Sequence, residues 1–194
     1  MAAFVLGNGV SRNTISIDQL LKLGPVYGCN ALYRTHTVTA LVATDKPIAQ
    51  AIQQSGYSTK NRFYTRRPLP DLGAQIVPKK YFGFSSGPIA VAIAAQDRQH
   101  VIYLLGFDLG PNINGKFNNL YADTEFYKTT GAHPTFTGNW IKQLTQVTQD
   151  FPNHQFIRVA GDTTADIQEL NNLPNLKHLP IATFLQRINN GKDL

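Results

Sequence analysis

Polar and glycine residues follow several apolar segments of this sequence, at points where a strand ends or a helix begins. The four clusters are Gly7-Asn8-Gly9, Asn30, Thr44-Asp45 and Ser85-Ser86-Gly87. Ligands of parallel sheets bind beyond the carboxyl ends of the strands, and free N–H groups at a helix start favour an anion. Around one cleft, these residues would suit a phosphate and a ribose. The alternative is four unrelated turns, because Asn and Gly dominate ordinary turns and Ser caps ordinary helices.

We predict that six of these residues bind a nucleotide, namely Asn8, Gly9, Asn30, Asp45, Ser86 and Gly87. Four further residues are candidate contacts to its phosphate or sugar, namely Ser11, Arg12, Tyr121 and Tyr127. The glycine turn is not a dinucleotide fingerprint, because Arg12 stands where G-x-G-x-x-G has its third glycine. The sequence also lacks a P-loop, a G-x-S-x-G elbow and an H-E-x-x-H helix. NAD binding, ATP hydrolysis and serine-hydrolase chemistry are therefore disfavoured.

His133 is the candidate general base among the five histidines. It precedes a helix predicted from Asn139 and has aromatic neighbours in the sequence, so it could take a proton from a hydroxyl group over a bound sugar. The other four histidines adjoin strands or lie in a turn, and a structural or surface role is the default for them. No spacing of His with Asp or Glu predicts a metal triad, and Asp108, Asp123 and Glu125 would form at most a weak divalent site. We predict no metal and no cofactor.

The elements that position these residues alternate as in an α/β fold. Apolar runs predict strands at 2–6, 26–29, 38–43, 100–105 and 155–160. Helices are predicted at 17–23 with Ser16 as N-cap, 46–55, 89–95 and 139–150, with two weaker ones near 165–170 and 182–189. We predict a single Rossmann-like domain over residues 1–194, with a mainly parallel sheet flanked by helices.

Composition excludes several protein classes. The 194 residues are 42% apolar and 15% charged, which excludes a disordered, collagen-like or coiled-coil chain. The single cysteine, Cys29, forms neither an internal disulfide nor a cysteine-type zinc site. No apolar run approaches the roughly 18 to 20 residues of a membrane span, and the first residues do not resemble a signal peptide. We predict a soluble, cytoplasmic protein.

The net charge of +6 is concentrated in residues 57–80. This basic segment carries Lys60, Arg62, Arg66, Arg67, Lys79 and Lys80 against one acid, Asp71. We predict that residues 57–85 form an irregular basic insertion with one or two short strands. The basic segment could be a solvated loop, meet phosphates, or dock on an acidic protein or a nucleic acid. The absence of a zinc-finger or RNA-binding signature argues against dedicated nucleic-acid binding.

Three blocks of the sequence carry a resemblance to a known family. They are Val5-Leu6-Gly7-Asn8-Gly9-Val10-Ser11, Gly28-Cys29-Asn30-Ala31-Leu32-Tyr33, and Ser85-Ser86-Gly87-Pro88 leading into Ile102-Tyr103-Leu104-Leu105-Gly106-Phe107-Asp108. In this order they resemble the bacterial sialyltransferases of glycosyltransferase family 42, a family with G-N-G-P-S, C-N-x-x-Y, T-S-G and I-Y-L-x-G-x-D-F motifs. Similar blocks occur in uncharacterised proteins of tailed marine phages, which the chain also resembles.

The resemblance implies a Rossmann-like domain that binds CMP-sialic acid without a metal. It implies that Asn8 and Gly9 face the nucleotide phosphates, Asn30 faces the nucleotide or its sugar, and Ser86 with Gly87 faces the donor. His133 would correspond to the family's catalytic histidine in a G-H-S motif, although Ala132 separates it from Gly131 here. The chain also has Val10 for the family's Pro, Asp45 for its Asn, and Leu109 for the first of its paired tyrosines, for which Tyr121 or Tyr127 would substitute.

Three functions follow from these observations. The leading hypothesis is a nucleotide-sugar-dependent glycosyltransferase-like protein that binds a CMP-type nucleotide at the carboxyl edge of the sheet, with the nucleotide sugar as substrate. The second is a non-enzymatic phage accessory or virion-associated protein that uses the fold and the basic segment for protein contacts, located in the host cytoplasm or the virion. The third is a module that captures or hydrolyses a small nucleotide. The fold alone does not choose between them.

Overall fold

Eight short strands form one sheet in which every neighbouring pair is parallel. This computed structural model describes residues 2–190. The strands are β1 (Ala2–Leu6), β2 (Val26–Cys29), β3 (Ala40–Val42), β4 (Phe63–Thr65), β5 (Gln75–Ile76), β6 (Val101–Leu105), β7 (Gln155–Ala160) and β8 (Leu176–Pro180). Their order across the sheet is β5-β4-β3-β2-β1-β6-β7-β8. The predicted α/β architecture with helices flanking a parallel sheet is therefore confirmed, and the sheet is parallel throughout.

Seven α-helices accompany these strands in the part of the chain that the structure describes, and the last of them follows β8. They are α1 (Ile17–Leu23), α2 (Lys46–Gln54), α3 (Tyr57–Lys60), α4 (Ser86–Gln96), α5 (Gly138–Asp150), α6 (Gln168–Asn171) and α7 (Ile181–Asn189). Short 3-10 turns follow β1 at Val10–Thr14 and β2 at Asn30–Arg34, and a third lies at Lys79–Tyr81. Among residues 2–190, no helix combines the length and the apolar character that a membrane crossing requires.

Side chains of β1 alternate between two hydrophobic layers, one on each face of the sheet. Ala3 and Val5 pack with buried residues of α4, α5 and α6. Phe4 and Leu6 pack on the opposite face with residues of α1, α2 and α7. Because both faces are covered, the central strands read as continuous apolar runs, and this is why the predicted bounds of β1, β2 and β7 agree with the structure.

Helix α4 carries the chain from the β5 edge of the sheet back to β6 at its centre. It packs against β1, β2, β3 and β6, and all of its residues from Pro88 to Ala95 are buried. Ala90, Ala92 and Ala94 have no exposed surface. Small side chains let this helix lie close to the sheet, as its sequence predicted, and its first turn therefore points at the carboxyl ends of the central strands.

The N-cap of α1, the basic insertion and the C-terminal region each bear on a prediction from the sequence. The Ser16 hydroxyl accepts a hydrogen bond from the Gln19 N–H, which confirms the predicted N-cap of α1. The segment expected to be an irregular insertion contributes α3, β4 and β5, and both of these strands extend the main sheet. Between the two weaker C-terminal helices lies β8, an additional strand that is buried only at Leu176.

Candidate functional site

A cavity lies at the carboxyl ends of β1 and β6. These two strands are neighbours, but the chain leaves β1 toward β2 on one side and β6 toward β7 on the other. Such a reversal of strand order is the position where ligands of open parallel sheets bind. The cavity, called the central cavity below, has a volume of about 290 Å³.

All six predicted nucleotide-binding residues line the central cavity. They are Asn8 and Gly9 after β1, Asn30 after β2, Asp45 after β3, and Ser86 and Gly87 in the first turn of α4. The loop after β6 adds Gly106–Gly110, and the lining also includes Asn118, Asn119, Trp140 and Leu144. The structure therefore brings these four polar clusters to one edge of the sheet. That they bind a nucleotide stays a prediction.

Ser86 joins the turns after β2 and β3. Its side chain is buried, and the Oγ atom accepts a hydrogen bond from the Thr44 N–H at 3.0 Å. The same hydroxyl donates to Asn30 Oδ1 at 3.1 Å and lies 3.1 Å from Thr44 Oγ1. Ser86 thus does not cap its own helix and instead fixes the positions of two strand-end turns around the cavity.

The first turn of α4 is open toward the central cavity. Ser85, at the N-cap, has a backbone N–H that donates to Gln143 Oε1. Ser86 and Gly87 occupy the next two positions, whose N–H groups have no acceptor within a helix. Both residues line the cavity. These two N–H groups and the positive end of the helix dipole form an arrangement that can bind an anion.

Asp108 is the buried centre of the loop after β6. Its carboxylate accepts hydrogen bonds from the Ser11 N–H at 3.1 Å, from the Ser11 hydroxyl, from Asn118 Nδ2 at 3.0 Å and from Thr163 Oγ1 at 2.6 Å. A Cβ atom at Gly9 would overlap this carboxylate, so the first glycine turn packs directly on it. With its oxygens occupied, Asp108 organises the cavity floor and is not free to act as a metal ligand or base.

Arg158 supports the same loop from beneath, and sequence reasoning missed it. Its side chain is 1% exposed and donates to three backbone carbonyl oxygens, those of Phe107, Asp108 and Ala165, at 2.8 to 2.9 Å. Burial lowers the pKa of Arg158 to about 10. The one signal in the sequence is a cation between the apolar residues Phe156–Ile157 and Val159–Ala160 of β7, because a buried arginine must find hydrogen-bond acceptors.

The four candidate sugar or phosphate contacts lie behind or beside the cavity wall. Ser11 is bonded to Asp108, as described above. Arg12 is 6% exposed and donates to the Gly7 carbonyl and to the Tyr121 hydroxyl. Tyr127 accepts hydrogen bonds from the Ala31 N–H at 3.3 Å and from Asn8 Nδ2 at 3.5 Å. None of the four lines the central cavity, so the structure places them as supports of the residues that do.

Cys29 lines the floor of the central cavity. Its thiol is buried near the Leu6 carbonyl and the Asn8 amide oxygen. Burial raises the pKa of Cys29 to about 12, so the group is a neutral thiol at physiological pH. A neutral thiol is a poor nucleophile, and Cys29 is placed as part of the wall.

His133 does not line the central cavity. Its side chain is exposed, on a loop whose neighbouring residue Ala132 accepts a hydrogen bond from the Phe117 N–H. Phe117 directly precedes Asn118, which does line the cavity, so the loop adjoins the cavity rim. The role of His133 as general base stays a prediction. Among residues 2–190, no group of three or more His, Cys, Asp or Glu side chains is arranged to hold a metal ion.

Several cations of the basic segment are engaged within the protein. Arg62 forms an ion pair with Asp97, and Lys80 forms one with Asp150 at 2.8 Å. Arg66 donates to the carbonyl oxygens of Phe82 and Phe84. Four cations of the segment are exposed: Lys80, which pairs with Asp150, and Lys60, Arg67 and Lys79, which form no ion pair with the described residues. Docking of a partner on this surface stays a prediction.

Comparison of the chain with profiles of known protein families, with curated proteins and with solved structures found no match. The resemblance to glycosyltransferase family 42 therefore rests on the motifs of the sequence.

Proposed function

We propose that this protein binds a nucleotide or nucleotide sugar in the central cavity, with a phosphate at the first turn of α4. The observation that carries the proposal is the position of this turn. It opens, with two free N–H groups, into a cavity located where the strand order of a parallel sheet reverses. The volume of about 290 Å³ lies at the small end of ligand pockets, which measure about 300 to 1,000 Å³, and suits a mononucleotide.

Hydrogen bonding, rather than ion pairing, would hold such a ligand. The cavity lining contains no Lys, Arg or His among the described residues, and its two charged members are Asp45 and Asp108. Asn8 is available to a ligand, because its amide is bound only by long contacts to Tyr127 and Cys29. Amide groups bind ribose and sugar hydroxyls, while the α4 dipole attracts the phosphate.

Glycosyl transfer is the narrower form of the proposal. It would require a base for the acceptor hydroxyl, and His133 on the cavity rim is the candidate. The broader form of the proposal is that the protein binds a nucleotide without transferring a sugar. The exposure of His133 and its position outside the cavity lining favour this broader form. Hydrolysis of nucleotide sugars by the wild type and by His133→Ala separates the two forms. A general base contributes about 10² to 10⁴ in rate.

The binding proposal is tested by thermal unfolding in the presence of CMP, UMP, UDP, GDP and their sugar conjugates. A ligand at about 100 times its dissociation constant stabilises the folded state by about 2.7 kcal/mol. We expect at least one of these ligands to stabilise the wild type, and we expect Asn8→Ala and Ser86→Ala to abolish the stabilisation.

Two matched variants serve as controls. Ser58 is as buried as Ser86 and donates to the Leu72 carbonyl, far from the cavity in the basic segment. Asn61 is half-buried and donates to the Tyr57 carbonyl. Ser58→Ala and Asn61→Ala should lose stability but keep the ligand response. The proposal is wrong if Asn8→Ala and Ser86→Ala respond to every ligand as the wild type does.

A further inference from the structure

A second, smaller cavity adjoins the central cavity and shares Asn30 and Asp45 with it. Its volume is about 110 Å³. The remaining walls are Pro47 and Ile48 at the start of α2, and Phe126 and Tyr127 from the loop after β6. This side pocket therefore combines one carboxylate and one amide with apolar and aromatic surfaces.

Two residues of the side pocket have left-handed backbone conformations. They are Asn30, with φ of 53°, and Phe126, with φ of 73°. Asn adopts this conformation readily, but for a bulky aromatic residue it is strained. Arg34 holds the strained segment, because it donates to Thr124 Oγ1 and to the Glu125 carbonyl and lies 5.9 Å from the centre of the Phe126 ring. Such strain persists at ligand clamps, where the surrounding structure enforces it.

The Asp45 side chain is exposed, and its carboxylate has no hydrogen-bond or ion-pair partner among residues 2–190. It lies at the N-cap of α2 without making the capping hydrogen bond, and it takes part in no ion pair. No Lys, Arg or His lines either cavity. Asp45 directly follows Thr44, whose N–H donates to Ser86 in the first turn of α4. A negative charge and an anion-binding turn are therefore adjacent, and a phosphate ligand alone would be repelled by Asp45.

We propose that the side pocket binds an ammonium group of the ligand, and that Asp45 selects for it. This inference rests on the proposed function, since the phosphate of the same ligand would lie at α4. The ammonium would donate to the Asp45 carboxylate, an interaction that a neutral group of the same shape cannot make. The ligand class is a phosphate ester with a primary ammonium, as in an amino-sugar nucleotide.

The experiment compares two small phosphate esters of equal shape, O-phosphoethanolamine and n-propyl phosphate, by isothermal titration calorimetry. We expect the wild type to bind O-phosphoethanolamine at least about tenfold more tightly. We expect Asp45→Asn to bind both esters equally, and to bind n-propyl phosphate at least as tightly as the wild type does, because the repulsion is removed. Asp71→Asn is the control, since Asp71 is exposed and lies in the basic segment.

Each outcome separates this inference from the proposed function. Equal binding of the two esters by the wild type overturns the ammonium pocket and leaves the phosphate site intact. A preference for O-phosphoethanolamine that survives Asp45→Asn also overturns the ammonium pocket. If neither ester binds, the phosphate site is judged by the nucleotide stabilisation described above, and the pocket is tested by ethanolamine chloride in a ¹H–¹⁵N NMR titration. If the amides of Asn30, Asp45, Phe126 and Tyr127 do not shift, the ammonium pocket is wrong.

Discussion

Asp108 and Arg158 show how single buried side chains hold the floor of the central cavity. Asp108 collects hydrogen bonds from Ser11, Asn118 and Thr163, which belong to three separate segments of the chain. Arg158 fixes the backbone of the same loop through its carbonyl oxygens. Both side chains are almost fully buried, and both are occupied by hydrogen bonds within the protein. Their contribution to function is the placement of the glycine turn and of Asn118.

Arg158→Lys should destabilise the protein and weaken ligand binding. A lysine has one nitrogen and cannot reach all three carbonyl oxygens that the guanidinium satisfies. Each buried acceptor left without a donor costs about 1 to 3 kcal/mol. Urea unfolding measures this loss, with Arg67→Lys as the control, because Arg67 is exposed and its side chain makes no hydrogen bond among the described residues. Equal midpoints for the two variants would refute the role assigned to Arg158.

His154 should make stability depend on pH. Its ring stacks on His100 at 5.0 Å between centroids, and both ring nitrogens are buried without a hydrogen-bond partner. Burial, and then the nearby His100, lower the pKa of His154 below its ordinary 6.5. The unfolded chain therefore binds more protons below about pH 6.5, so the free energy of unfolding falls as the pH drops through that value toward the folded pKa.

The His154→Phe variant isolates this effect. It keeps an aromatic ring beside Phe151 and Phe156 and removes the two unpaired nitrogens. We expect a smaller loss of stability between about pH 7.5 and 5 than in the wild type, measured by chemical unfolding. Part of the loss should remain, since burial and the nearby Arg158 also lower the pKa of His178. Identical pH profiles would show that His154 does not contribute.

At the scale of elements, the sequence was most informative where an element is buried on all sides. The central strands were predictable from continuous apolar runs, and α4 was predictable from its small residues. The short strands β4, β5 and β8 were harder, because they lie toward the sheet edges and because β5 and β8 have few buried residues. The cavity lining was predictable as well, because its polar residues directly follow strands or begin a helix in the sequence. The Asp108 cluster was not predictable, since its partners are distant in sequence and meet only in the folded chain.

Close packing of α4 on the sheet gives a prediction for that element. Ala92 has no exposed surface, and a leucine there would overpack the interface at a cost of about 1 to 3 kcal/mol. Ala182, on the exposed side of α7, provides the control. Differential scanning calorimetry should show a lower melting temperature for Ala92→Leu and little change for Ala182→Leu. If Ala92→Leu unfolds at the same temperature as the wild type, close packing of α4 on the sheet does not contribute to the stability of the fold.

At the scale of the whole molecule, the central cavity and the basic segment differ in charge. The exposed cations Lys60, Arg67 and Lys79 belong to the basic segment, whereas the cavity lining carries two carboxylates and no cation among the described residues. A nucleotide bound in the cavity would therefore be held by the α4 turn and neutral amides. A nucleotide attracted by charge alone would instead bind to the basic segment.

A ¹H–¹⁵N NMR titration with the nucleotide that gives the largest thermal stabilisation tests the central claim most directly. The account predicts that the largest shifts occur at the Ser86 and Gly87 amides, with further shifts at Asn8 and Asn30, and that they persist at about 0.5 M salt, where surface charges are screened. Shifts confined to Lys60, Arg67 and Lys79 that vanish at this salt concentration, or no shift with any of the nucleotides, would contradict it.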